Sequence, residues 1–226
     1  MIEENSTIRY IDLFCGIGGF RLAVEQVSQK LSVPVECVFS SDIDEECQKV
    51  YHGNFGELPY GDITKKNASD IPDHDILLAG FPCQPFSIIG KMKGFEDTRG
   101  TLFFDIARIL EVKRPKAFIL ENVKLLRGHN KGKTFARIIE VITDMGYKVD
   151  WQILNALDFG LPQKRERVFI VGFREPCLFD WPKITIPMKP LSDLLERNVS
   201  DACQRFVADQ KDEVNSRKLI ERYMLE

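Results

Sequence analysis

The chain has 226 residues, 44% apolar, 29% charged and 10% aromatic, a globular balance that excludes disordered, collagenous and disulfide-scaffold proteins. No apolar run approaches the roughly 20 residues that span a bilayer. The opening MIEENSTIRY lacks a basic-then-apolar leader, and the six cysteines and three histidines show no paired metal spacing. These features lead us to expect a cytoplasmic protein without membrane or metal, its thiols kept reduced. The net charge of −3 conceals an asymmetry: residues 1–83 hold 6 Lys+Arg against 14 Asp+Glu, whereas residues 84–174 hold 17 against 10. The basic middle suits a polyanion such as nucleic acid, and the acidic first third suits a cationic or hydroxyl-bearing small ligand. Solvated faces account for the same asymmetry.

Short β-branched runs alternate with helical patterns along the chain. Strands are expected at 8–14, 35–40, 75–80, 116–121, 147–155 and 167–173, and helices at 19–31, 43–52, 101–113 and 134–145. The alternation predicts a doubly wound, mostly parallel α/β sheet, in which ligands sit at the carboxyl ends of strands. After Arg174 the texture changes. Four prolines occur in residues 176–190, followed by a polar tail with amphipathic pieces near Leu191–Leu195 and Leu219–Leu225. Such a tail reads either as a helical cap on the main domain or as the start of a second region.

The first strand runs into Asp12-Leu13-Phe14-Cys15-Gly16-Ile17-Gly18-Gly19-Phe20, a glycine-rich turn opening a helix, and Asp42 follows the second strand where it can hold ribose hydroxyls. The G-x-G-G pattern is not the dinucleotide fingerprint, so a nucleoside without phosphates fits better. After the third strand, Gly80-Phe81-Pro82-Cys83-Gln84-Pro85-Phe86-Ser87 holds a cysteine between two prolines. A rigid, exposed turn of this kind suits a nucleophile, whereas a buried thiol is the ordinary fate of a free cysteine. The following segment has glycines at 90, 94 and 100 and is long enough to form a lid. Glu121-Asn122-Val123 delivers a carboxylate after apolar residues, where burial would raise its pKa and suit it to proton donation. Gln163-Lys164-Arg165-Glu166-Arg167 sets two guanidinium groups before the last strand, fitted to oxyanions or to a surface ion-pair cluster with Glu166.

Taken together and in this order, DLFCGIGGF, SSDIDEEC, YGDIT, GFPCQPFS, GKMKGFEDTRGTLFFDIARIL, ENV and QKRERVF resemble the DNA cytosine-5 methyltransferases, in particular their bacterial HhaI-like branch. The resemblance covers about residues 8–174. It implies a Rossmann-like methyltransferase fold, S-adenosylmethionine as cofactor, duplex DNA as partner and a restriction-modification setting. By this resemblance the Cys83 thiolate adds to carbon 6 of a flipped-out cytosine while Glu121 protonates ring nitrogen 3. Arg165 would contact the base, Arg167 would order the site and Asn122 would brace the loop. Phe14 would stack on the adenine, with Gly16, Gly18 and Gly19 admitting the cofactor, Asp42 holding the ribose and Ile43 packing on the ring. Asp62 and Ile63 match the adenine edge, and Pro82 and Leu102 the methionine side. Gln84, Ser87, Lys91 and Arg99 fall on the loop that would close over the DNA.

Members of the family continue with a target recognition domain and further carboxy-terminal motifs. On this reading residues 1–176 form the catalytic and cofactor-binding domain, and residues 177–226 a linker and the start of an incomplete recognition region. A fragment, a split enzyme whose second chain supplies the rest, and an inactive truncated product all fit, and the expectation favours a partner chain. A tRNA cytosine methyltransferase shares PCQPF and ENV, but the QKRER block and FEDTRGTLFFDI look more like the DNA branch. A non-catalytic remnant is disfavoured because Cys83, Glu121, Arg165 and Arg167 are all present.

Overall fold

Strand β1 (Ile8–Leu13) is the hub of the fold, and its residues from Tyr10 to Leu13 are all buried. In the computed structural model, which describes residues 6–82, 102–183, 186–188 and 190, six strands form one sheet in the order β2-β1-β3-β4-β6-β5. Strands β2 (Val35–Ser41) and β3 (Ile76–Gly80) flank β1 in parallel, and β4 (Ala117–Val123) continues parallel to β3. The last strand, β6 (Glu166–Phe173), inserts antiparallel between β4 and β5 (Lys148–Asn155). The arrangement is the expected doubly wound, mostly parallel sheet, with one antiparallel strand.

Among the described residues four α-helices cover the sheet: α1 (Gly19–Leu31), α2 (Glu45–Phe55), α3 (Leu102–Lys113) and α4 (Lys133–Asp144). Helix α2 starts two residues later than its sequence pattern suggests, because Asp44 accepts hydrogen bonds from the Glu46 and Cys47 amides and so caps it. The apolar stripes of α3 (Phe103, Ile106, Ile109, Leu110) and α4 (Phe135, Ile138, Val141, Ile142) are buried. They form one core with the alternate strand residues Leu77, Ala79, Phe118, Leu120, Val168 and Ile170. Burying one such side chain contributes about 1.5–3 kcal/mol.

The opposite sheet face is less fully covered. A cleft of about 590 Å³ runs between α1 and the strand residues Ile76, Leu78, Ile119, Phe169 and Val171. Phe179 and Trp181 also line it, their rings 5.1 Å apart, and Trp181 Nε1 donates to Asp150 Oδ2 at 2.9 Å. The proline-rich exit therefore still packs on the sheet beyond Arg174. Among the described residues no helix is long and apolar enough to cross a membrane.

Candidate cofactor and catalytic site

The chain steps from β1 outward to β2, then crosses back to place β3 on the other side of β1. That reversal opens a crevice at the carboxyl ends of β1 and β3, the place where such sheets hold ligands. A cavity of about 470 Å³ lies there, within the range of small-molecule sites. Seven sequence candidates line it: Phe14, Asp42, Ile43, Asp62, Ile63, Pro82 and Leu102. Ser41, Gly61, Thr64 and Gly80 also line it, and the sequence reading had not singled them out as site residues. Ser41 and Gly61 each stand directly beside a candidate aspartate, a proximity that could have flagged them.

Local geometry explains how these groups are held. Phe14 takes φ 55°, a left-handed conformation that is costly for an aromatic residue and is retained where the surrounding structure demands it. Asp42 uses both oxygens: Oδ2 accepts from the Gly16 amide at 2.7 Å and Oδ1 from the Asp44 amide at 2.9 Å. Its carboxylate thereby ties the glycine turn to the end of β2. Ile43 is 71% exposed, an apolar rim for a flat ring. Asp62 accepts from the Thr64 hydroxyl at 2.7 Å and the Thr64 amide at 3.0 Å, and these bonds hold its carboxyl below the usual range.

Gly16, Gly18 and Gly19 do not line the cavity. Gly18, at φ 95°, has a packing reason to be glycine, since a Cβ there would sit 2.1 Å from Phe55 Cε2. Beneath the turn, Asp12 is fully buried and neither carboxylate oxygen has a hydrogen-bond partner among the described residues. Burial raises its pKa to about 7, against a smaller lowering by the positive charge of nearby Arg21. In the sequence Asp12 is the strand residue that precedes the glycine turn. Cys15 beside it is buried and its thiol is pushed up by burial, as is that of Cys37, so neither suits a nucleophile.

At Gly80 the cofactor cavity meets the carboxylate site. A Cβ on Gly80 would lie 3.6 Å from Glu121 Oε2, because Gly80 and Glu121 are register partners on β3 and β4. Glu121 and Arg167 both lie within strands, β4 running two residues further than expected, to Val123, and β6 starting one residue earlier, at Glu166. Register pairs Val123 with Arg167 and Glu121 with Phe169, so Glu121 and Arg167 are diagonal neighbours across the antiparallel ladder. Their side chains meet, with Arg167 Nε 2.9 Å from Glu121 Oε1. The apolar enclosure expected for Glu121 is not what forms. Its side chain is 22% exposed and ion-paired.

Asn122 points the other way and is buried. It donates to the Phe81 carbonyl at 2.8 Å, while its oxygen accepts from the Val123 amide. Arg165 lies before β6, exposed, with no side-chain partner among the described residues. Glu166 pairs with Lys124 at 2.7 Å, not with either arginine, so the arginine cluster expected around it does not form. Cys83, Gln84, Ser87, Lys91 and Arg99 lie outside the described residues.

Among the described residues the lining contains no Lys or Arg to hold a phosphate. Carboxylates, a hydroxyl, an aromatic ring and aliphatic walls suit a phosphate-free nucleoside carrying positive charge. S-adenosylmethionine fits that donor set.

Comparisons with known proteins agree with this geometry. Residues 8–224 match the family model for C-5 cytosine-specific DNA methylases. The chain is 54% identical over 199 residues to the Type II methyltransferase M.NgoBI of Neisseria gonorrhoeae, covering 88% of this chain and 61% of that protein. It is 48% identical over 222 residues to M.HhaI of Haemophilus parahaemolyticus, covering 97% and 65% respectively. Among solved structures, the Dnmt2 methyltransferase of S. pombe superposes with a TM-score of 0.66 at 21% identity, covering 86% of this chain and 61% of that one. This last likeness is one of fold. The similarity runs well past Arg174, where the sequence motifs end, and the chain spans about three-fifths of the length of the curated relatives it matches. The chain belongs to the C-5 cytosine-specific DNA methylase family.

Proposed function

We propose that this chain carries the catalytic part of a restriction-modification DNA methyltransferase that transfers a methyl group from S-adenosylmethionine to carbon 5 of a flipped-out cytosine in duplex DNA. The observation that carries the reading is the shared wall at Gly80, with a phosphate-free cofactor cavity on one side and the Glu121–Arg167 pair on the other. When bound, the cofactor supplies an electrophilic methyl group.

The remaining chemistry falls to the chain. Carbon 5 of cytosine is a poor nucleophile, and Cys83 addition at carbon 6 with protonation of ring nitrogen 3 by Glu121 converts the ring to an enamine. Loss of the carbon 5 proton and of the Cys83 thiolate restores aromaticity after methylation. Arg167 holds Glu121 in place through its Nε contact, and exposed Arg165 is left to meet an oxygen of the base or an adjacent phosphate. Asn122 fixes the Phe81 carbonyl and so the start of the cysteine loop. In the cofactor cavity, Asp42 suits the ribose hydroxyls, Phe14 and Ile43 the adenine faces, Asp62 and Ile63 the adenine edge, and Pro82 and Leu102 the methionine side.

Transfer of a labelled methyl group to mixed-sequence duplex DNA, with tRNA in parallel, tests the reading. Label recovered as 5-methylcytosine in DNA supports it. Label confined to tRNA contradicts it, whereas cofactor binding without label in either points to a second chain that supplies the recognition part.

A further inference from the structure

Strand β4 delivers Glu121 and runs directly into Lys124-Leu125-Leu126-Arg127-Gly128-His129-Asn130-Lys131-Gly132-Lys133, a segment with four Lys or Arg residues and no acid. Antiparallel pairing brings the start of β6, and with it Lys164 and Arg165, to the same sheet edge. Of the acids near this edge, Glu166 is occupied by Lys124 at 2.7 Å, and exposed Asp158 on the turn after β5 stands against six Lys or Arg residues. Arg127, Lys131, Lys133, Lys164 and Arg165 are exposed and make no ion pair among the described residues. Uncompensated like charge at one edge is unfavourable in the free protein and is relieved by a polyanion.

The shape of this edge is also specific. A shallow hollow of about 620 Å³ has Leu125 and Ile153 among its lining residues and Lys124 and Arg127 beside them. Leu125 is 79% exposed, and Arg127 is steadied by stacking 4.7 Å from the centroid of the Trp151 ring. Asn130 and Lys131 both take left-handed conformations (φ 50° and 57°), a turn that non-glycine residues adopt only at a cost. Apolar surface bordered by cations matches a nucleic-acid backbone, whose sugars are apolar on one face and whose phosphates are anionic.

We propose that the turn 124–133, together with Lys164 and Arg165, is a contact surface for the sugar-phosphate backbone of duplex DNA beside the target base. This rests on the DNA-methyltransferase reading and assigns contacts to residues outside the 83–101 loop. Such contacts position the duplex and carry no sequence information.

The test is the salt dependence of binding to mixed-sequence duplex DNA in the presence of S-adenosylmethionine. It compares the full 226-residue chain with an Arg127→Gln, Lys131→Gln, Lys133→Gln variant. Each phosphate contact contributes about 0.9 to the slope of log affinity against log salt, so the triple variant is expected to lose about 2–3 from it. A control carrying Lys30→Gln and Lys148→Gln, exposed cations remote from this edge, is expected to keep the full slope, and all three proteins are expected to bind cofactor equally. A triple variant with the unaltered slope, or a control that loses as much, overturns the surface alone. Absence of salt-dependent duplex binding by the unaltered chain overturns both the surface and the DNA reading.

Discussion

Arg167 reaches back across the β4–β6 ladder to place its Nε 2.9 Å from Oε1 of Glu121, so the strand that enters the sheet antiparallel supplies the guanidinium for the carboxylate proposed as the proton donor. The contact follows from register, since residues two positions apart along a strand share a face. Glu121→Gln is expected to lower the methyl-transfer rate at least about 100-fold, the scale of a lost general acid, with cofactor affinity unchanged. Arg167→Lys keeps the charge but loses the planar fork, so an intermediate loss is expected. Single-turnover kinetics beside calorimetric cofactor titration separates the two effects. Equal losses in rate and cofactor affinity would contradict the assignment.

Asn122→Ala is expected to destabilise the fold. It strips a buried carbonyl, that of Phe81, of its 2.8 Å partner, and an unsatisfied buried acceptor costs about 1–3 kcal/mol. In a chain of this size the melting temperature should fall by about 2–12 °C. Thermal denaturation without and with DNA checks it, and an unchanged midpoint would show that the bond is dispensable.

Asp42 joins the glycine turn to the cofactor cavity through its bonds to the Gly16 and Asp44 amides. Asp42→Ala removes these ties together with the proposed ribose ligand. Cofactor affinity is expected to fall at least about tenfold, a change of 1.4 kcal/mol or more. Calorimetry reads it directly, and wild-type affinity would exclude Asp42 from the site.

Asp12 gives the fold a pH dependence with a defined sign. Its pKa is about 7 in the folded chain against 3.8 for the unperturbed group, so between about pH 4 and pH 7 the folded state holds a proton that the unfolded state has lost. Its contribution to stability is full below pH 4 and declines as pH rises towards 7. Asp12→Asn is expected to abolish that decline. Urea unfolding from pH 4 to 8 tests this, and the same decline in both proteins would contradict it.

The strands were legible because their apolar runs are short, β-branched and bounded by turn residues, and the α3 and α4 stripes repeat at helical spacing. Strand direction was not, since an apolar run such as that of β6 reads the same whichever way it inserts. For that reason the Glu121–Arg167 contact could not be read from the chain, and Glu121 was expected in apolar surroundings it does not have. Asp42 was legible from its place after the second strand, and Phe14 and Asp62 through the family resemblance of their motifs. The solvation of Asp12 was hidden, because a carboxylate one residue from the turn looks the same in sequence whether it faces water or the protein interior.

The central claim is covalent catalysis by Cys83 at a cytosine ring activated by Glu121. The most direct measurement uses duplex DNA carrying 5-fluorocytosine, together with S-adenosylmethionine. Fluorine at carbon 5 blocks the proton loss that releases the thiolate, so a denaturation-resistant protein–DNA adduct is expected to accumulate and to map to Cys83. It should be absent from Cys83→Ala, which still binds cofactor. Methylation of ordinary duplex DNA without a trappable adduct, or an adduct formed by Cys83→Ala, would contradict the account.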